Sequence, residues 1–153
     1  MGVAYNVIAA GAVNRYPFAV ECLKHYEIDS ASASASNNNP SPLELRAVLD
    51  DLTGYATDYQ VSPGNWQALV EATTGLKFLR AGTLVCVVDY QGDETKPHIF
   101  YFDKGDLKLN ILIVERLSRL CGPFYIFPDT GAKPLLVTPG TDPTKAVKEW
   151  KIG

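Results

Sequence analysis

Apolar residues recur along this chain at two spacings, and the spacing predicts the element. Leu45, Val48, Leu49 and Leu52 fall at helical intervals. Ahead of them Ser41 can cap a helix and Pro42 suits its first turn. Glu44, three residues after the cap, can return a bond to the cap's own N–H. With Gly54 as a left-handed stop, the pattern predicts a helix over Pro42 to Thr53. Ser62-Pro63 repeats the cap-and-proline start, and Trp66, Leu69, Val70 and Thr73 repeat the helical spacing before Gly75. A second, shorter helix is predicted there.

Other segments alternate. Thr83 to Gln91 is apolar on both alternating sets, Val85 and Val87 on one, Leu84, Cys86 and Val88 on the other. That is the mark of a strand covered on both faces, and it places the sheet centre here. Gly92 to Pro97 reads as a turn leading into an aromatic strand, His98 to Phe102. Val3 to Val13 reads as a strand, Phe18 to Ile28 as a short strand or a helix, and Tyr55 to Val61 as a short strand. Leu107 to Leu120 fits either period. Lys108, Glu115 and Arg119 share one narrow stripe only if the whole is helical, and Asp106 and Gly122 suit its two ends, so a nearly buried helix is favoured. Phe124 to Phe127 and Leu135 to Thr138 read as two short strands joined through Pro128 to Gly131. Thr141 or Asp142 with Pro143 opens a final amphipathic segment carrying Val147 and Trp150.

Strands and helices are interspersed without a regular βαβ alternation. This predicts a single α+β domain over residues 1–153, a mainly antiparallel sheet of about 5–6 strands with 3–4 helices packed against it. Ser30 to Pro42 contains only Ser, Ala, Asn and Pro, with nothing large enough to anchor a core. Residues 30–41 are therefore expected to form a flexible, solvated linker. They separate an N-terminal segment, 1–29, too small to fold alone, from the main body, 42–153. The short segment must dock onto the rest, or onto a neighbouring copy.

Composition narrows the function. At roughly 100 to 200 residues per domain, 153 residues suffice for one domain. Fourteen Lys and Arg against 17 Asp and Glu give a net charge of −3, which provides no bulk attraction to nucleic acid or anionic lipid. The three cysteines, Cys22, Cys86 and Cys121, form no Cys-x-x-Cys pair, so neither a disulfide framework nor a thiolate metal site is expected, and no cofactor is implied. The first apolar stretch lacks a basic leader region, and no apolar run approaches the ~18 residues of a membrane span. The expected location is cytoplasmic.

No phosphate loop, dinucleotide-binding glycine motif, nucleophile elbow or His-Glu-x-x-His motif occurs. One weak catalytic constellation remains. His98 and Asp103 bracket the aromatic strand and Asp89 ends the preceding one, so a suitable register can gather an imidazole and two carboxylates for acid/base chemistry or a divalent metal. Cys22 and His25 share a face if their segment is helical, the spacing of an activated thiol, although an incidental pair is the favoured reading.

Two features point instead to surface contacts. Phe124, Tyr125 and Phe127 lie between Pro123 and Pro128, and prolines flanking a strand suggest a sheet edge that can carry aromatic contact area, although core packing is the commoner use of such residues. Leu43 to Gln60 holds Glu44, Asp50, Asp51 and Asp58 against Arg46 alone, with Glu44 and Asp51 on one face of the predicted helix; a solvated face with Glu44 spent on its cap is the favoured reading, a docking surface for a basic partner the alternative. The expected function is a non-enzymatic protein-interaction domain, inhibitory or immunity-like as one concrete form. It would engage a protein partner or itself, as a homo-oligomer, through Glu44, Asp51, Phe124, Tyr125 and Phe127. The alternative is a small-molecule binder or small enzyme built on the His98 constellation.

Overall fold

The protein was analysed as a computed structural model that describes residues 3–28, 35–73, 83–86 and 93–150. Seven strands, β1 (Ala4–Ala9), β2 (Tyr55–Ser62), β3 (Asn65–Ala72), β4 (Thr83–Cys86), β5 (Phe100–Asp103), β6 (Phe124–Pro128) and β7 (Leu135–Val137), form one sheet. Every pair is antiparallel, in the order β2-β3-β4-β5-β1-β6-β7. Among the described residues there are also four α-helices, α1 (Pro17–His25), α2 (Pro42–Asp50), α3 (Leu107–Cys121) and α4 (Pro143–Glu149), and one 3-10 turn, Ala10–Arg15. This is the expected α+β class, with one strand more than anticipated.

Directly opposed residues of an antiparallel pair share a face, so the register sorts the whole sheet. Tyr59, Ala68, Leu84, Phe102, Tyr5 and Pro128 form one continuous row across six strands. Trp66, Cys86, Phe100, Val7, Ile126, Ala9 and Phe124 belong to the same face and are almost wholly buried. Helices cover this face: Arg46 of α2 lies 4.1 Å above the Tyr59 ring, Trp150, just past α4, meets Tyr5 at 6.2 Å, and α3 packs between α2 and α4. The opposite row runs Gln60, Gln67, Val85, Tyr101, Asn6 and Phe127. There Phe18 of α1 packs edge-on against Phe127 at 6.0 Å, while Gln60 is exposed and Gln67 half-buried.

Helix ends follow the residue chemistry closely. The Ser41 hydroxyl accepts from the Glu44 N–H, and the Glu44 carboxylate accepts from the Ser41 N–H at 3.0 Å, completing the capping box of α2. Asp106 caps α3 by accepting from the Leu109 N–H at 2.9 Å, and Gly122 ends it at φ +92°. Leu107–Cys121 is thus helical, the favoured reading of that ambiguous segment.

Four expectations need correction or qualification. The segment after Pro63 is strand β3, not a helix. Pro63-Gly64 forms a two-residue turn, with Gly64 at φ +78°, which returns the chain along β2. Trp66, Ala68 and Val70 then alternate into the core at 0% exposure. Strand β4 lies third in the order and β5 occupies the middle; Leu84, Val85 and Cys86 are buried on both faces as expected, and residues 87–91 of the predicted strand lie outside the described residues.

Strand β6 is no edge strand, because β1 and β7 pair with it on either side. Neither proline has to donate within the ladder: Pro123 precedes the strand and Pro128 is its last residue.

The linker differs most from its composition. Residues 29–34 lie outside the described residues, but Asn39, Pro40, Ser41 and Pro42 are buried. Asn39 Oδ1 accepts from the Ala9 N–H at 2.9 Å and its Nδ2 donates to the Tyr16 hydroxyl at 2.8 Å. Asn37 accepts from the Gly11 N–H at 2.9 Å and donates to the Pro123 carbonyl at 2.8 Å. The Asn38 carbonyl accepts from Arg15 Nη1 at 2.7 Å. These amides supply the bonds that the backbone needs where β1 leaves the sheet, and they tie the N-terminal segment to the main body.

Candidate functional site

A polar cluster built on a buried carboxylate stands on α3. Glu115 is 3% exposed, and an isolated carboxylate so buried would be strongly destabilising. It is satisfied on every side. Arg119 Nε donates to Oε2 at 2.7 Å, Arg116 Nε donates to Oε1 at 3.3 Å, and the Gly140 N–H donates to Oε2 at 3.3 Å. Burial is the largest single influence on the carboxyl and would raise its pKa. The bonds from Arg119, Gly140 and Arg116, with the charge of Arg119, together outweigh burial and hold it below the usual carboxylate value.

Each arginine engages Glu115 through Nε alone, so among the described residues its two terminal amino groups are open. Both guanidinium groups are thereby fixed at one end and available at the other. They line a groove of about 390 Å³ between α3 and α2, together with Ala47, Val48, Asp51 and Leu120. Asp51 is exposed and has no ion pair or side-chain hydrogen bond among the described residues. Leu120 is 58% exposed, the most open large apolar side chain described. Leu43, 47% exposed, sits one helical turn before Ala47 on α2.

The predicted acidic face is therefore mostly consumed. Glu44 is spent on the capping box, and its Oε2 meets the Cys121 thiol at 3.4 Å. Asp50 accepts from the Tyr59 hydroxyl at 2.7 Å. Asp58 is on β2, aligned with Leu69 on the face away from α2. Of the predicted pair Glu44 and Asp51, only Asp51 keeps a free carboxylate.

Phe124, Tyr125 and Phe127 are 0%, 1% and 2% exposed. They are core side chains of an interior strand and form no contact surface, which removes that part of the expectation.

The catalytic constellation is not assembled from its described members. His98 precedes β5, where its backbone N–H donates to the Pro40 carbonyl near the start of α2. Asp103 ends the same strand, aligned with Ala4 and Thr83. The length of β5, four residues or about 13 Å at ~3.3 Å per residue, separates them. Asp89 lies outside the described residues. Among the described residues no three His, Cys, Asp or Glu side chains group as metal ligands, and no helix is long and apolar enough to cross a membrane.

Cys22 and His25 do share α1, but no hydrogen bond joins them; His25 packs edge-on against Tyr26 at 4.8 Å. Burial pushes the Cys22 thiol up. Burial also raises Cys86 to about 12, and burial with the nearby Glu44 carboxylate raises Cys121 to about 12. Since the thiolate is the nucleophile, iodoacetamide at mildly alkaline pH should modify all three far more slowly in the native protein than in urea. Equal rates in both conditions would show that this shielding is absent.

A second, larger groove of about 630 Å³ runs between β7 and α4. Its central polar groups serve the fold: Asp142 caps α4 through the Thr144 and Lys145 N–H groups, and Trp150 Nε1 donates to the Lys133 carbonyl at 2.6 Å. The α2–α3 groove is different in that its arginines are fixed at one end on a buried carboxylate, an anchor that Lys133, Lys145 and Glu149 of the larger groove lack among the described residues. In the sequence Arg119 serves only to mark a narrow polar stripe and Arg116 carries no signal of its own. The available signal was Glu115 set inside an apolar helix with arginines at i+1 and i+4. No protein family, curated protein or solved structure matches the chain.

Proposed function

We propose that this chain is a protein-interaction domain whose contact surface is the α2–α3 groove. The observation that carries the reading is the pair of arginines anchored through Nε on buried Glu115, sharing a groove with the unpaired Asp51 and the exposed Leu120, with exposed Leu43 one turn further along α2. Anchoring removes much of the side-chain entropy that two free arginines would lose on binding. Exposed leucines beside oriented charges make the usual arrangement of an interface, with apolar contacts for affinity and polar contacts for register. The reading keeps the interaction role anticipated from composition and moves it from an acidic face to a mixed one.

Hydroxyl-radical footprinting of the protein, purified and in an extract of the cells that make it, tests the assignment. Leu43 and Leu120 should be shielded in the extract relative to the dilute purified protein, while Phe18, Val61 and Leu136, exposed elsewhere, should label equally in both. If Leu43 and Leu120 label as freely in the extract as in dilute solution, the assignment is wrong.

A further inference from the structure

The charge around the groove limits what can occupy it. Arg116 and Arg119 contribute two positive charges, Glu115 and Asp51 two negative ones, so the local sum is zero. A simple anion attracted to the guanidinium groups would meet Asp51 across the groove, with the charge of Glu115 already cancelling one arginine. A basic segment attracted to Asp51 would meet two arginines. The complementary occupant is bipolar: acidic toward the α3 wall, basic toward the α2 wall, and apolar where Leu120 and Ala47 lie.

We infer that the occupant is a second copy of this chain, docked by the same face about a two-fold axis running through the groove. This rests on the assignment of the α2–α3 face as the contact surface and names the partner. A two-fold interface places residue i against j and j against i. One protomer's Asp51 then faces the partner's Arg116 and Arg119, while its own arginines face the partner's Asp51. The open terminal amino groups suit the geometry, since a guanidinium held at Nε still presents a flat edge to a carboxylate. The same operation sets Leu120 of one protomer against the α2 wall of the other, where Ala47 lies, and this apolar contact excludes water from the charge pairs.

Light scattering of the full chain from micromolar to millimolar concentration, with charge-reversed variants, tests this. The native protein should pass from monomer to dimer mass as concentration rises. Asp51→Arg and Arg116→Glu should each weaken association by roughly tenfold or more, because each turns two symmetric attractions into repulsions. Their equimolar mixture should recover association as a heterodimer. Arg116 contacts Glu115, so if Arg116→Glu fails to fold by circular dichroism, Leu120→Glu replaces it and should leave a folded monomer. A native protein that stays monomeric throughout, or an Asp51→Arg variant that associates as tightly as the native chain, overturns the inference. Monomers whose Leu120 is nevertheless shielded in cell extract overturn the second copy as occupant and leave the contact face standing. Monomers with no shielding overturn both.

Discussion

Replacing Asn39 by leucine will destabilise the protein by about 3 kcal/mol, from leaving a buried backbone donor and a hydroxyl without partners. The side chains are similar in size, so the loss reports polar satisfaction more than packing. Ala9 is fully buried where β1 ends, and its N–H is matched by Asn39 Oδ1 instead of a neighbouring strand. Asn39→Asp keeps an acceptor for Ala9 and allows the Tyr16 hydroxyl to donate, so it should lose clearly less. Gly11→Ala should damage the same junction from the other side, because a Cβ there would lie 2.3 Å from the Asn37 carbonyl oxygen. Urea unfolding followed by tryptophan fluorescence measures all three. If Asn39→Leu loses under ~0.5 kcal/mol, the range of an ordinary surface substitution, the linker amides are not the tie between the N-terminal segment and the sheet.

Removing both arginines from Glu115 should have an effect of similar size and a distinctive pH signature. The double variant Arg116→Ala/Arg119→Ala leaves a buried carboxylate with the Gly140 N–H as its remaining side-chain bond, a loss of about 2–3 kcal/mol at neutral pH. That figure sits below the usual range for breaking a buried pair because both arginines are partly solvated. In the native protein the carboxyl is held below its usual 4.5. Its stabilisation is therefore fully present above that value and is lost as pH falls through the depressed one. In the double variant burial dominates and raises the carboxyl, so acid should relieve a strain that is worst at neutral pH. The difference in urea midpoint between the two proteins should shrink as the pH is lowered below the usual carboxyl value. A difference that stays constant with pH would show that Glu115 is not the group the arginines stabilise.

Where local chemistry and long-range packing agree, the elements are legible in the residues. Ser41, Pro42 and Glu44 specify the start of α2 through bonds made within four residues, and Asp106 with Gly122 does the same for α3. The segment 65–72 satisfies two periods at once: Trp66, Leu69 and Val70 suit a helix, Trp66, Ala68 and Val70 suit a strand. Pro63-Gly64 decides between them only once it is read as a tight turn. Residues 37–39 misled for a different reason. Composition measures how little apolar surface a segment brings, and an asparagine amide can be buried when its donors and acceptors all find partners. Those partners, Ala9, Gly11, Tyr16 and Pro123, lie 23 to 86 residues away. Phe124, Tyr125 and Phe127 offered an edge contact beside the commoner core reading because prolines usually mark an edge, yet both prolines here stand where no N–H is required, and the core reading holds. The proposed contact groove was half visible: Asp51 stood out by charge, whereas Arg116 and Arg119 come together with it only through Glu115 and the approach of α2 to α3.

A dilution series of the isotopically labelled protein, followed through its backbone amide resonances, will locate the contact surface directly. Amides of residues 43–51 and 116–121 should shift together as the concentration rises, with those of β2 and of the β7–α4 groove unmoved. Resonances that hold still at every concentration, or that shift along β2 or α4 instead, would contradict self-docking through α2 and α3.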